Sequence, residues 1–112
     1  MLYALICLYK PGGAELRKPL RARHLEHMIA ALPFTAYGGP LFVGDEQSGM
    51  LVVLDVTDRS AAERFLADEP YYGAGLFETV VIRRWSLATP EPEPEFLQRE
   101  LKRELEKSTE ER

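Results

Sequence analysis

This chain of 112 residues is poor in the side chains that most often organise chemistry: it has one cysteine, two histidines and one tryptophan. The lone Cys7 forbids an internal disulfide and fits a reducing, cytoplasmic setting. No apolar run approaches the ~20 residues needed to span a bilayer, so no membrane partner is expected. The N-terminal MLYALICLYK lacks a basic lead and a small-residue cleavage site, and therefore reads as a strand rather than a secretory signal. No Gly-rich phosphate loop, nucleophile elbow or cofactor motif is present, so any chemistry is expected to run without a cofactor.

Charge of a single sign is also scarce. The net charge is -4, and residues 91–112 hold eight Glu against five Lys and Arg. In the body, Lys10, Arg17, Lys18, Arg21 and Arg23 face only Glu15 over residues 10–23. That surplus is too small and too poor in interleaved aromatics for a nucleic-acid surface, but it suits a small anionic ligand.

What the chain does have is alternation and helical spacing. Residues 2–9 are apolar on both alternating sets, as in a strand covered on both faces. Residues 17–32 are expected to form a helix that buries Leu25, Met28, Ile29 and Leu32 and stops at Pro33. A short strand over Phe34–Tyr37, a Gly38-Gly39-Pro40 turn and a strand centred on Met50–Leu54 follow. Ser60 and Glu63 have capping-box spacing, and the helix they open turns Ala62, Phe65 and Leu66 to one side. Phe77–Trp85 reads as the last strand. The order β-α-β-β-α-β predicts an α+β, ferredoxin-like fold, in which a four-stranded antiparallel sheet carries both helices on one face. The other face then needs cover: either the C-terminal segment folds across it or, as the favoured reading, a second copy stacks its own sheet there and makes a homodimer with a barrel-like core. Residues 1–87 are read as the domain and 88–95 as a stiff Pro/Glu-rich connector. Residues 96–112 are read as a charged, helical tail with a narrow stripe of Phe96, Leu97, Leu101 and Leu105.

Both histidines lie in one stretch, RARHLEHM, residues 21–28. At 100° per residue, His24 sits at the edge of the predicted apolar stripe beside Arg21 and Arg17, whereas His27 falls on the opposite side. The two cannot clasp a metal from one helix face, and further ligands are missing, so no metal site is expected. His27 is assigned to solvent. His24 is read as a cleft residue, because histidine alone titrates unperturbed near physiological pH. On the second helix Glu69 points with the apolar residues, and an inward carboxylate costs free energy unless paired. His24 or Arg21 is its expected mate.

These residues resemble the YciI-like (YCII-related) family over roughly residues 1–87. The resemblance rests on an ordered set: Met1-Leu2-Tyr3 opening the first strand, Arg21-x-x-His24-Leu25, Gly39-Pro40-Leu41, and Glu69-Pro70-Tyr71 followed by Ala74-Gly75-Leu76. It implies a dimeric α/β barrel of ferredoxin-like protomers with a His–Asp pair in a cleft. The histidine falls on His24. The aspartate position holds Glu69, one methylene longer, and neighbouring Asp68 substitutes only if the turn shifts by one residue. One branch of the family is associated with dehydrochlorination of a chlorinated hydroxyquinol.

Two function classes follow. One is a cofactor-free enzyme moving a proton on a small anionic or phenolic compound, as a lyase, isomerase or dehalogenase. His24 would act as base or acid, Glu69 would orient it, Arg21 and Arg17 would hold the anion, and Tyr9, Tyr37 or Tyr71 would supply a hydroxyl. The other is a non-catalytic small-molecule-binding or accessory dimeric module. A monooxygenase of the same fold acting on haem or a quinol has no specific support in the residues.

Overall fold

The computed structural model describes residues 1–110. Strand β1 (Leu2–Tyr9) runs up the middle of the molecule and ends at the Pro11-Gly12-Gly13 turn. A short helix, α1 (Gly13–Leu16), and a 3-10 turn at Lys18–Leu20 lead into α2 (Arg21–Ala31). The expected single helix over 17–32 is thus broken before Arg21, because Pro19 has no N–H to donate to a continuing helix. A second 3-10 turn at Leu32–Phe34 contains Pro33 and closes α2.

The hairpin β2 (Thr35–Val43) and β3 (Glu46–Asp55) follows. Gly38-Gly39-Pro40, expected as a turn, lies inside β2 and pairs with Val52, Leu51 and Met50. The chain reverses at Gly44-Asp45 instead, where Gly44 has φ 59°. Proline is tolerated here because β2 is an edge strand. Helix α3 (Arg59–Ala67), the one-turn α4 (Pro70–Gly73), β4 (Phe77–Trp85) and α5 (Phe96–Glu110) follow in turn. The last two residues of the expected 96–112 tail lie outside the described residues. Ser60 does not cap α3. Asp58 does, its carboxylate accepting the Ala61 N–H at 2.9 Å, and Glu63 pairs with Arg59.

The sheet order is β2-β3-β1-β4, antiparallel throughout. With the two long helices of the domain it makes an α+β, ferredoxin-like fold. Pairing puts Tyr3, Leu5 and Cys7 of β1 beside Leu54, Val52 and Met50 of β3. This row packs against Ala31, Ala62, Phe65 and Leu66 of the helices and forms the core. The opposite face is less covered, and Ile6 at its centre is 36 % exposed.

Helix α2 is rotated relative to the sequence expectation. Its buried or half-buried positions are His24, His27, Met28 and Ala31, while Leu25, Ile29 and Leu32 are 40, 64 and 65 % exposed. The apolar stripe is therefore displaced by about 100°, one residue's step. The cause is polar: a hydrogen bond from His24 anchors the helix, and small Ala31 lets it approach the sheet. Neither effect registers in an apolar pattern.

Candidate active site

Three elements converge at the end of the sheet where β1 finishes. Helix α2 contributes Arg21 and His24, the break before it contributes Arg17, and the turn between α3 and β4 contributes Glu69 and Tyr71. Helix α3 ends with Asp68 at its C-cap, and Glu69 adopts extended backbone (φ -74°, ψ 122°) ahead of Pro70, as residues before proline do. That conformation makes Glu69 the N-cap of α4, and its Oε2 accepts the Tyr72 N–H at 3.0 Å. Its Oε1 lies 2.6 Å from His24 Nδ1. Glu69 is fully buried and His24 nearly so, with side-chain exposures of 0 and 16 %. Both carboxylate oxygens are thereby satisfied, which offsets the cost of burying the group.

An ionised carboxylate only accepts hydrogen bonds, so the ring donates its Nδ1–H and leaves Nε2 as the free nitrogen. The Tyr71 ring stacks on the imidazole at 4.2 Å and 12°. Tyr9 meets Tyr71 edge-on at 6.2 Å and stacks on Phe77 at 5.5 Å. Position and orientation of His24 are thus fixed by one hydrogen bond and one aromatic face.

The imidazole opens into a cleft of about 270 Å³ between α2 and the β2–β3 hairpin. Arg17, Arg21, Tyr9 and Tyr71 share its lining with Met28, Gln47 and the Gly38–Pro40 backbone. Arg17 Nε is buried without a hydrogen-bond partner among the described residues. Burial pushes the Tyr9 hydroxyl up to about 12, with Tyr71 adding to this and Arg17 opposing it. The Tyr71 hydroxyl is also raised by burial, with the nearby Arg17 opposing. Both phenols are neutral donors at physiological pH. Beneath them Cys7 is buried, and desolvation with the nearby Glu69 pushes its thiol up to about 12. It is a core residue and not a nucleophile.

Of the residues read from sequence, His24, Glu69, Arg17, Arg21, Tyr9 and Tyr71 come together here. Tyr37 does not. It lies on the far face of the sheet, edge-on to Trp85 at 6.2 Å, because its partner in register is Val53 and not a cleft residue. His27 is not in solvent either: its ring packs on Phe65 at 4.5 Å, and its Nε2 is buried without a partner among the described residues. Asp68 is exposed and takes no part in the pair. Gly38 is a cleft residue that the sequence pattern did not single out, although a glycine inside a strand does signal close approach of something to the backbone. Among the described residues there is no group of three or more His, Cys, Asp or Glu able to hold a metal ion. None of their helices is long and apolar enough to cross a membrane.

Comparison with solved structures finds the same fold in the 5-chloro-2-hydroxyhydroquinone dehydrochlorinase of Burkholderia phenoliruptrix, in complex with 2,5-dihydroxybenzoquinone. It superposes with a TM-score of 0.76 at 21 % identity and covers 81 % of this chain and 99 % of that one. An antibiotic biosynthesis monooxygenase aligns more loosely, with a TM-score of 0.48 at 16 % identity over 78 % of this chain and 100 % of its own. No curated protein sequence matches. The model of the YCII-related domain matches residues 1–86, and a match over that share of 112 residues makes the chain a member of the YCII-related family.

Proposed function

We propose that the cleft is the active site of a cofactor-free enzyme that moves a proton on a small anionic or phenolic molecule. The observation that carries this reading is the buried His24–Glu69 pair, with Nδ1 and Oε1 2.6 Å apart at the wall of a cleft that also holds Arg17 and Arg21. A buried carboxylate fixes the tautomer and stabilises the imidazolium that forms when the ring takes a proton, and the free Nε2 is the general base or acid. Arg17 and Arg21 hold the anionic group, and the Arg17 Nε–H, without a partner among the described residues, is a donor that a carboxylate or phenolate can use. The neutral hydroxyls of Tyr9 and Tyr71 donate to an oxygen that gains charge as the proton leaves. A lyase, isomerase or dehalogenase reaction fits these roles. Likeness of fold to a dehydrochlorinase in complex with a dihydroxybenzoquinone makes hydroxyquinols and chlorinated hydroxyquinols the first compounds to assay. Fold alone does not assign a reaction.

The less covered sheet face with Ile6 at its centre supports a homodimer made by stacking two such faces. The lone buried thiol of Cys7 suits a reducing cytoplasm.

The test is a pH–rate profile with the hydroxyquinol panel on the parent chain and on His24→Ala. Removing a general base costs roughly 10²–10⁴-fold in rate. Turnover that survives in His24→Ala overturns the proposal. A ligand-induced thermal shift with no turnover gives the cleft to binding alone.

A further inference from the structure

Outside the cleft, one pair of surfaces has no role in the chemistry. Between α2 and α3 runs a groove of about 570 Å³. One wall is made by residues 27, 30, 31 and 34, the other by residues 61, 64, 65 and 68. Residues 27, 30 and 31 of α2 and 61, 64 and 65 of α3 have the spacing of a helix face, and Phe34 in the following 3-10 turn and Asp68 at the C-cap extend the walls to about 10 Å. The walls are largely apolar, with small Ala30, Ala31 and Ala61 admitting a helix to close distance, because interaxial separation follows side-chain size at the contact. The same groove holds the His27 ring, whose Nε2 is buried with no partner among the described residues. Arg64 and Asp68 put both signs of charge in the groove lining.

The second surface is α5. Leu97, Leu101 and Leu105 form one stripe, 42, 59 and 59 % exposed. They span about 12 Å, close to the length of the groove. Flanking charges of both signs, Glu100 with Arg103 and Glu104 with Lys107, pair along the helix. Isolated helices of ~12–15 residues are marginal in water, so a helix of this length with its leucines bare is stabilised mainly by what it packs against.

We propose that α5 of one copy seats its Leu97–Leu101–Leu105 stripe in the α2–α3 groove of a second copy. This is the helix-in-groove mode of recognition, with anchors one turn apart. Chain geometry permits it. Trp85 pairs with Leu2, and Leu2 pairs with Asp55, so β4 ends at the same end of the sheet as Val56 in the groove lining. From there residues 86–95 lead into α5.

The occupant is a second copy because an ordered elbow carries α5 away from its own body. The Glu91 carboxylate accepts the Leu97 N–H at 3.1 Å, and Arg99 donates to the Pro94 carbonyl and pairs with Glu93. The chain consequently has a radius of gyration of 18.0 Å, against about 13 Å for a compact chain of this length. Two-fold symmetry makes the exchange reciprocal, each copy giving one helix and receiving one.

A mixing experiment tests this with the full-length protein. One chain carries Ala61→Cys in the groove and the other carries Leu101→Cys on the stripe; Cys7 is fully buried and out of reach. The two are mixed and treated with a short bismaleimide. A cross-linked species of twice the chain mass, present only in the mixture, is expected. Adding Leu97→Glu and Leu105→Glu to the second chain abolishes it. No cross-link, or one that persists in the Glu-bearing chain, overturns the proposal. So does a chain carrying both cysteines that links only within itself, which places α5 on its own body. Should Ala61→Cys disturb α3, hydrogen exchange reads the same contact. Replacing all three leucines by Glu in the full chain is expected to lower protection of α2 and α3 amides along the groove, and unchanged protection overturns the proposal.

Discussion

His24 Nδ1 and Glu69 Oε1 stand 2.6 Å apart, although 45 positions separate them in the chain. The same carboxylate caps α4 through the Tyr72 N–H, and α4 carries the Tyr71 ring that stacks on His24. One buried side chain thus sets the imidazole's tautomer and holds the aromatic face against it. The two tasks separate on substitution. In Glu69→Gln the amide oxygen still accepts from Tyr72, but its NH₂ donates to His24 Nδ1 and moves the ring proton to Nε2. The free nitrogen can then no longer act as a base. Stability is expected to fall by only about 1–2 kcal/mol, while activity falls roughly 10²–10⁴-fold. Glu69→Ala strands two donors and costs about 3 kcal/mol. Urea unfolding gives the stabilities, and imidazole ¹⁵N shifts give the tautomer. An unchanged tautomer in Glu69→Gln refutes the coupling.

Alkaline pH probes the layer beneath the pair. Burial, then the nearby Glu69, raises the Cys7 thiol from 9.0 to about 12. The folded chain therefore keeps its proton between pH 9 and 12 while the unfolded chain loses it. A raised folded-state value gives stability that is fully present below the unfolded value and is lost as pH rises toward the folded one. Stability is expected to decline from about pH 9 upward. Cys7→Ala starts somewhat less stable at pH 7 but follows a shallower alkaline slope. Part of the slope remains, because Tyr9 is raised from 10.0 to about 12 by burial, then by Tyr71. Urea midpoints at pH 8, 9 and 10 for both chains check the sign. Iodoacetamide is expected to leave native Cys7 unmodified at pH 8.

The strands β1 and β4 were legible to the residue because alternation and β-branching mark them strongly, and the fold class followed from element order. The site was legible in part. An inward carboxylate before Pro70 calls for a partner on chemical grounds alone, and that logic offered His24 or Arg21, of which the structure puts His24 against Glu69. The phase of α2 was not legible. The apolar pattern turns Leu25, Ile29 and Leu32 inward, yet all three are exposed, because the helix is fixed by a polar anchor and by the smallness of Ala31. Tyr37 was misplaced for a related reason. Reading Gly38-Gly39-Pro40 as a turn ends the strand at Tyr37, so nothing in the pattern shows which face of β2 that residue occupies. Register, not composition, put it beside Trp85.

The α3 cap separates two sequence readings that share the same stretch. A capping box from Ser60 to Glu63 makes Ser60 the sensitive residue, whereas the structure puts Asp58 against the Ala61 N–H. Asp58→Ala is expected to cost about 1 kcal/mol, and Ser60→Ala no more than a few tenths. Thermal denaturation of the two variants ranks them, and the reverse order refutes the Asp58 cap.

Gly38 sets stability against function. It lies within β2 opposite Val52, and an added Cβ would meet Leu51 O and Thr35 Cγ2 at 3.8 Å, ordinary contact distances. The backbone there does not require glycine, which weakens a strand interior. Gly38→Val is therefore expected to hold or raise stability by up to about 1 kcal/mol. Its side chain enters a cleft of only about 270 Å³ that Arg21 and His24 also line. Ligand affinity is expected to fall at least tenfold while the melting temperature holds or rises. The contrast is Gly49, where a Cβ would run into the Cys7 carbonyl oxygen and the β1 backbone. Gly49→Ala has to push two strands apart and is expected to lose stability by about 3 kcal/mol or more. Differential scanning fluorimetry with and without a hydroxyquinol, run on both variants, distinguishes a filled cleft from a broken sheet. A Gly38→Val protein that binds normally shows that the ligand does not use the floor of this cleft.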